Sequence, residues 1–231
     1  MIRSAALMAL LLAIFGYFPQ IDLAVSSWFY DGQWFGRQGI LWTIRNFYYD
    51  FSILVPVLLL VLLVLSFIKR TQVPRKVYGF FVALAIIAPI GLVNMVLKEY
   101  WGRARPSNVV EFGGDKLFTP AQIFPVDQCD HNCSFVSGEG SGCFMLLLLA
   151  LTMFGGTAKR DVAICALILP MGFLRVVAGG HFLSDVLGSF LVVAFCFFAL
   201  LKVMQMKPSE LRVGWPAFWA DVKSLVGVKH A

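Results

Sequence analysis

Apolar residues fill long stretches of this chain, and short polar connections separate them. The apolar runs cover about residues 4–18, 51–68, 77–97, 141–157, 162–178 and 183–205. Most of these runs approach the roughly 20 residues that a helix needs to cross a bilayer. We therefore predict an all-α, polytopic membrane protein with six transmembrane helices in one bundle.

The first apolar run is the weakest of the six predicted spans. Arg3 followed by a short apolar stretch is also typical of a signal peptide. However, Phe15, Tyr17, Phe18 and Pro19 stand where a cleavage site needs small residues. We expect a retained helix, and a cleaved leader is the alternative.

The composition favours the same class of protein. Hydrophobic residues make up 59% of the 231 residues, charged residues make up 14%, and the mean hydropathy is +0.80. These values are far too apolar for a soluble domain. Because no Pro-, Gly- or Ser-rich linker divides the chain, we expect a single integral membrane domain over residues 1–231.

Most basic residues lie in every second connection between the predicted spans and in the C-terminal tail. They are Lys69, Arg70, Arg75, Lys76, Lys159, Arg160, Lys202, Lys207, Arg212, Lys223 and Lys229. By the positive-inside rule these segments and both termini are cytoplasmic. The net charge of +6 is then an orientation signal, so we expect no nucleic-acid partner.

Two polar segments contain many aromatic residues. The first outer connection, about residues 19–50, is either an aromatic belt in the headgroup layer or a lid along the membrane. The cytoplasmic tail, about residues 206–231, mixes tryptophans with charges between Leu211 and Val226. This mixture predicts an interfacial helix.

Three short segments place ionisable residues at the outer ends of the predicted spans. In the first, Lys98 ends the third span, and Arg103, Arg105 and Pro106 follow it. Cations that converge beside a membrane can hold the oxygens of a phosphoryl group. The alternative is that these side chains are snorkelling anchors.

The second segment, residues 134–141, begins the fourth span with small residues. The start of a helix exposes free backbone N–H groups, and glycines let an anion approach them. Ser137 and Gly138 are therefore candidate phosphate-binding residues. The alternative is that Ser137 is an N-cap and that the glycines are helix-packing positions.

The third segment carries the strongest chemical signal. Arg175 ends the fifth span, His181 begins the sixth, and Asp185 follows His181 by four residues. On a helix this spacing lets the carboxylate accept a proton-bearing ring nitrogen and present the other nitrogen to a substrate. We therefore expect His181 to be a nucleophile that Asp185 orients, because intramembrane ionisable residues are rarely without function.

Together the three segments resemble the type 2 phosphatidic acid phosphatase family. Its signature is Lys-x6-Arg-Pro, then Pro-Ser-Gly-His, then Ser-Arg-x5-His-x3-Asp. The matching residues are Lys98, Arg105 and Pro106 in 98–106, Ser137 and Gly138 in 134–141, and Arg175, His181 and Asp185 in 174–185. The departures are Val136 for Pro, Leu174 for Ser, and Glu139 in the position of the second-motif histidine.

The resemblance implies a metal-independent phosphatase that works through a phosphohistidine and needs no cofactor. His181 would attack the phosphorus, and Asp185 would orient it. The phosphoryl oxygens would be bound by Lys98, Arg105, Arg175, Ser137 and Gly138. In the family the second-motif histidine protonates the leaving oxygen, so here that role would pass to Glu139 or to water.

Whether Glu139 can act as an acid depends on opposing effects. Desolvation and a nearby phosphate dianion favour its protonated form, whereas the helix start and the three cations favour the carboxylate. A good leaving group, such as a diphosphate, would need less acid assistance.

The form Ser-Phe-Val-Ser-Gly-Glu at residues 134–139 is similar to the lipid A phosphatase branch of the family. This resemblance implies a lipid phosphate substrate at the periplasmic face of the bacterial inner membrane. No obligate protein partner is evident. Undecaprenyl diphosphate, phosphatidylglycerol phosphate and phosphatidic acid are alternative substrates. A lipid phosphotransferase or a catalytically weak binding relative is an alternative, whereas a transporter would bind near the bilayer midplane.

Two cysteines give evidence on the compartment. Cys129 and Cys133 lie in the outer connection before the fourth span, where an oxidising space would allow a disulfide. The alternatives are free thiols or a zinc site with His131, although ligands so tightly spaced do not match the usual zinc patterns. We expect the disulfide and no metal site.

Overall fold

The protein is helical throughout the part of the chain that the structure, a computed structural model, describes: residues 2–122 and 124–225. Its helices are α1 Ile2–Tyr17, α2 Gln20–Ser27, α3 Gly39–Ile68, α4 Arg75–Tyr100, α5 Gly138–Phe154, α6 Ala158–Val177, α7 Leu183–Val203 and α8 Trp215–Leu225. Within these ranges β-pairing is limited to two isolated bridges. The predicted all-α class is therefore confirmed for the described residues.

Three of these helices, α3, α4 and α7, are long and apolar enough to cross a membrane. The pair α1 and α2 bends by 79° at its break, and it makes a fourth candidate if the pair is one span. α5 is apolar but shorter, with 17 residues. A helical membrane protein is thus supported, and the number of six spans stays a prediction.

Helix α3 begins well before the predicted span. The prediction placed an outer connection up to residue 50, but the helix starts at Gly39 and has 30 residues. A hydrophobicity pattern does not detect this start, because polar residues interrupt the first three turns. The segment is nevertheless helical, because backbone hydrogen bonds form whatever the side chains are. The early start matters because it places Arg45 on a rigid element.

The hydrophobic core lies where α3, α4, α5 and α7 pack together. Its fully buried side chains include Leu59, Leu62, Tyr78, Phe80 and Met153. Phe80 packs edge to face against Phe197 of α7, with 5.3 Å between ring centroids. This core fixes the relative positions of the helices whose far ends carry the ionisable residues.

The tail helix α8 is held against the connection between α3 and α4. Asp221, 3% exposed, accepts hydrogen bonds from the backbone N–H groups of Gln72 and Val73 and from the Tyr78 hydroxyl. The helix predicted between Leu211 and Val226 is thus present as α8, and residues 226–231 lie outside the described residues.

Part of α4 is wound more loosely than an α-helix. The segment Ile86–Leu97 is π-helical, and inside it the Asn94 side-chain amide donates to the Pro89 carbonyl at 2.6 Å. Such segments often occur at functional sites, where an inserted residue redirects side chains. Here the π-helical segment ends directly before Lys98.

Candidate active site

The three ionisable segments meet at one end of the helical bundle. They line a cavity of about 680 Å³, which we call the main cavity. The predicted site residues on its wall are Lys98, Arg105, Gly138, Glu139, Arg175 and His181. They come from the end of α4, the connection after it, the start of α5, the end of α6 and the turn before α7, so residues distant in sequence become neighbours.

His181 is buried in this wall, with 2% of its surface exposed. Its Nδ1 lies 2.7 Å from the Ser134 carbonyl oxygen, to which it can only donate. In the neutral ring Nε2 then keeps its lone pair. The main cavity is thus lined by an imidazole whose free nitrogen can act as a nucleophile.

The surroundings of His181 favour its neutral form. Burial is the main cause, and the cations of Arg175, Arg105 and Lys98 add to it, so the pKa of His181 lies well below its ordinary value of 6.5. The hydrogen bond to the Ser134 carbonyl opposes this shift without reversing it. At neutral pH the ring is therefore unprotonated, as a nucleophile must be.

Asp185 does not bond directly to His181, which differs from the prediction. Its Oδ2 is 3.9 Å from Nδ1, and its nearer partners are the Ser134 hydroxyl at 2.6 Å and the Phe182 N–H at 2.8 Å. The prediction assumed that both residues share a helix face, but α7 begins at Leu183 and His181 lies in the preceding turn. Asp185 is therefore linked to His181 through Ser134, a residue with no predicted role.

Ser137 caps α5 and does not line the main cavity. It is fully buried, its hydroxyl accepts from the Gly140 N–H at 3.0 Å, and its own N–H donates to the Asp185 carbonyl at 3.1 Å. Gly138 does line the cavity, and a Cβ there would lie 2.5 Å from Asn94 Oδ1. The glycine thus keeps the wall open, and the serine holds the start of the helix.

Glu139 is held by an arginine that the sequence did not single out. Arg45 donates to both carboxylate oxygens, with Nε 2.9 Å from Oε2. The guanidinium also lies over the rings of Trp42 and Tyr49, at 5.0 and 5.2 Å from their centroids. Arg45 was missed because no motif surrounds it, although the presence of two cations, Arg37 and Arg45, in an aromatic segment was a usable signal.

Arg175 and Arg105 point their guanidinium groups at the same space. Arg175 is 7% exposed, its Nε has no hydrogen-bond partner among the described residues, and that atom lies 3.4 Å from Glu139 Oε1. A Cβ at Gly180 would lie 2.2 Å from Arg175 Nη2, so a larger residue there would displace the Arg175 guanidinium from its position. Arg105 donates to the carbonyl and side-chain oxygens of Asn132 at 2.7 and 2.8 Å.

Arg103 has a structural position and does not face the main cavity. It is 1% exposed and donates to Asp22 at 2.8 Å, to Asp185 at 2.6 Å and to the Ser184 hydroxyl at 2.8 Å. The sequence pattern groups it with Lys98 and Arg105 as a candidate phosphate-binding cation. The structure instead uses it to join α2 to the start of α7.

Cys129 and Cys133 are bonded to each other in the structure, with their Cα atoms 5.7 Å apart. The bridge lies in the connection before α5 and brackets Asn132, the residue that holds Arg105. His131 lies beside Glu99, with Nδ1 3.2 Å from Oε2. This arrangement differs from the zinc alternative, in which His131 and both cysteines would share a metal.

Comparisons with known proteins agree with these motifs. A family model described as PAP2 superfamily matches residues 76–209. The chain is 37% identical over 181 residues to a protein named Lipid A 4'-phosphatase from Francisella tularensis subsp. novicida. The matched region covers 73% of this chain and 79% of that relative. A protein of the same name from Rhizobium leguminosarum is 36% identical over 128 residues, 54% of each chain. No solved structure gives a significant match.

Proposed function

The chain belongs to the PAP2 superfamily, and from that membership we propose that it is a membrane lipid phosphatase of the lipid A 4'-phosphatase type. The observation that carries the proposal is the main cavity, where a neutral His181 lies among Lys98, Arg105 and Arg175. A phosphate monoester is the ligand that such a cavity suits, because its oxygens are anionic and its phosphorus accepts a nucleophile.

The remaining wall of the main cavity supports a lipid substrate. It is formed by apolar residues of α3, α4 and α5: Ile53, Pro56, Val57, Ala85, Pro89, Ile90 and Met145. A hydrocarbon chain can lie against this wall while the phosphate reaches the cations. We propose that the substrate enters from the bilayer along it.

The proposed reaction has two steps. In the first, His181 Nε2 attacks the phosphorus, the N–P bond forms, and the bond from phosphorus to the headgroup oxygen breaks. In the second, water attacks the phosphorus and gives a proton to the Glu139 carboxylate, the N–P bond breaks, and inorganic phosphate leaves. The three cations neutralise charge that develops on the phosphoryl oxygens, and no metal takes part.

Two carboxylates support this reaction in different ways. Asp185 is a positioning residue, because it reaches His181 only through Ser134. Glu139 lines the main cavity, and its ion pair with Arg45 holds the ionised form. We propose that Glu139 takes a proton from solvent when the substrate phosphate displaces it from Arg45, and that it gives this proton to the leaving headgroup oxygen. Its bonds to Arg45 set the position of its carboxylate before the substrate arrives.

We propose that one domain of six spans places this cavity at the periplasmic face of the bacterial inner membrane, with both termini in the cytoplasm. α3 supports the orientation, because Arg45 lies near its cavity end and the basic residues Lys69 and Arg70 follow its other end. Asp221 anchors the tail to this basic connection, which keeps both at the end remote from the cavity.

Phosphate release from lipid phosphates tests the function. Purified protein would be assayed with a chelator present on a lipid A-type glycolipid phosphate, undecaprenyl diphosphate, phosphatidylglycerol phosphate and phosphatidic acid. We expect release from the glycolipid, its abolition by His181→Ala, and no loss with His131→Ala, which removes a histidine outside the main cavity. Full activity of His181→Ala, or no release from any lipid, would overturn the proposal.

A further inference from the structure

A second cavity, of about 420 Å³, lies beside the main cavity. We call it the side cavity, and its wall consists of Arg37, Trp42, Arg45, Arg105, Ser107, Arg175, Ala178 and Gly180. Arg45, Arg105 and Arg175 line both cavities, whereas Arg37 lines the side cavity alone. The two spaces therefore share a wall of guanidinium groups.

The side cavity has far more positive than negative charge. Its wall contains four arginines, and Glu139 of the main cavity forms ion pairs with two of them, Arg45 and Arg175. Among the described residues, Arg37 and Arg105 have no carboxylate within ion-pair distance. Burial lowers the pKa of Arg105 and outweighs the carboxylates that raise it, and the positive charges of Arg37 and Arg45 lower it further. Uncompensated cations this close together favour an anionic ligand.

Contacts with the turn before His181 hold Arg37 in place. Arg37 Nε donates to the Ala178 carbonyl at 3.0 Å, which leaves the rest of its guanidinium for another acceptor. A Cβ at Gly36 would lie 2.7 Å from the Ala178 backbone nitrogen, so the turn bearing Arg37 packs directly on the turn that leads to His181. In addition, the buried Arg175 Nε lacks a hydrogen-bond partner among the described residues.

The scissile phosphate alone does not use all of these groups. Lys98, Arg105 and Arg175 suffice for the three non-bridging oxygens in the main cavity, and Arg37 is outside that cavity. We propose that the side cavity binds a second oxyanion of the substrate headgroup, a phosphate or a carboxylate, through Arg37 together with the shared arginines. Guanidinium groups suit this role because they bind such oxyanions with two parallel hydrogen bonds.

This inference rests on the proposed function and makes it more specific. The enzyme would prefer lipids whose headgroup carries another negative group near the scissile phosphate. The same cavity could instead hold the inorganic phosphate that the reaction releases, since the chemistry of recognition is identical. The experiment must separate these two sources of anion.

The test compares two glycolipids that differ only in a second headgroup anion. Arg37→Gln is expected to raise KM about tenfold for the glycolipid with two anions, which corresponds to the loss of one charge-assisted hydrogen bond. For the glycolipid with one anion, kcat and KM should stay within about twofold, which also shows that the variant is folded. Lys116→Gln is the matched control, because it removes an exposed cation outside both cavities.

Three results would overturn the inference. One is an equal effect of Arg37→Gln on both glycolipids, or no effect on either. Another is a selective effect in the Lys116→Gln control, which would show a bulk charge effect. The third is a rise in the inhibition constant of inorganic phosphate with no selective rise in KM, which would assign the side cavity to the product. In all three the wild type still hydrolyses the glycolipids, whereas the proposed function itself fails if wild type hydrolyses neither or if His181→Ala keeps full activity.

Discussion

Replacing Asp22 by Asn tests the buried charge cluster that joins α2 to α7. Asp22 is fully buried and accepts hydrogen bonds from Arg103 Nη2 at 2.8 Å, from the Ser184 N–H at 2.9 Å and from the Ser184 hydroxyl. Asparagine keeps the shape of the side chain but removes its charge. Its amide NH2 would also face a donor at one of these three contacts.

The cost follows from the burial of the pair. Arg103 is 1% exposed and cannot turn to water, but Asp185 at 2.6 Å still neutralises its charge after the substitution. The loss is therefore that of a buried charge-assisted hydrogen bond, which leaves a donor unsatisfied and costs about 1–3 kcal/mol. For a protein of this size, about 1 kcal/mol changes Tm by about 2–4 °C, so we expect Tm to fall by about 2–12 °C.

Thermal unfolding of the detergent-solubilised protein measures this change. Asp115→Asn is the control, because Asp115 is exposed and its contact with Lys116, at 3.9 Å, is long. A surface change of this kind should alter stability by no more than about 0.5 kcal/mol. If Asp22→Asn melts within about 1 °C of wild type, the cluster does not stabilise the fold as its geometry indicates.

Three further predictions concern the site and its surroundings. Glu139→Gln should lower kcat about 100-fold at neutral pH and remove the high-pH limb of the rate profile, as loss of a general acid does; an unchanged profile would exclude Glu139 as the acid. Because the pKa of His181 lies well below 6.5, the unfolded chain binds a proton that the folded protein does not. Stability should therefore fall as the pH drops below about 6.5, by up to about 1.4 kcal/mol per unit, and urea titrations of His181→Asn should lack this contribution. Thiol titration of the denatured protein should find three reactive cysteines before reduction and five after it; five before reduction would exclude the bond between Cys129 and Cys133.

The sequence predicted features that depend on local spacing. Apolar runs located the helices to within a few residues at α5, α6 and α7, because a helix that faces lipid must be apolar along most of its length. Motif spacing selected Lys98, Arg105, Arg175 and His181, and the structure brings all four to one cavity. These residues stand at helix ends or in the connections directly beside them, where the sequence changes abruptly from apolar to polar.

Features that depend on packing between distant segments were not predictable. Asp22 meets Ser184 across 162 positions of sequence, and Arg45 meets Glu139 across 94, so no local pattern links them. The link from Asp185 to His181 through Ser134 depends on where α7 begins. A shift of two residues in that start changes which atoms face each other, and sequence patterns do not locate helix ends this closely.

The Arg45–Glu139 pair has a consequence for selectivity among the lipids of the membrane. Before a substrate arrives, a carboxylate of the chain itself already satisfies Arg45 and lies beside Arg175. A bound phosphate must compete with that carboxylate for the arginines, so its binding free energy contains only the difference between the two interactions. A phosphate monoester carries up to two negative charges and gains from the exchange, whereas a phosphodiester carries one and gains little. We therefore expect the abundant phosphodiester lipids of a bilayer to bind this site only weakly.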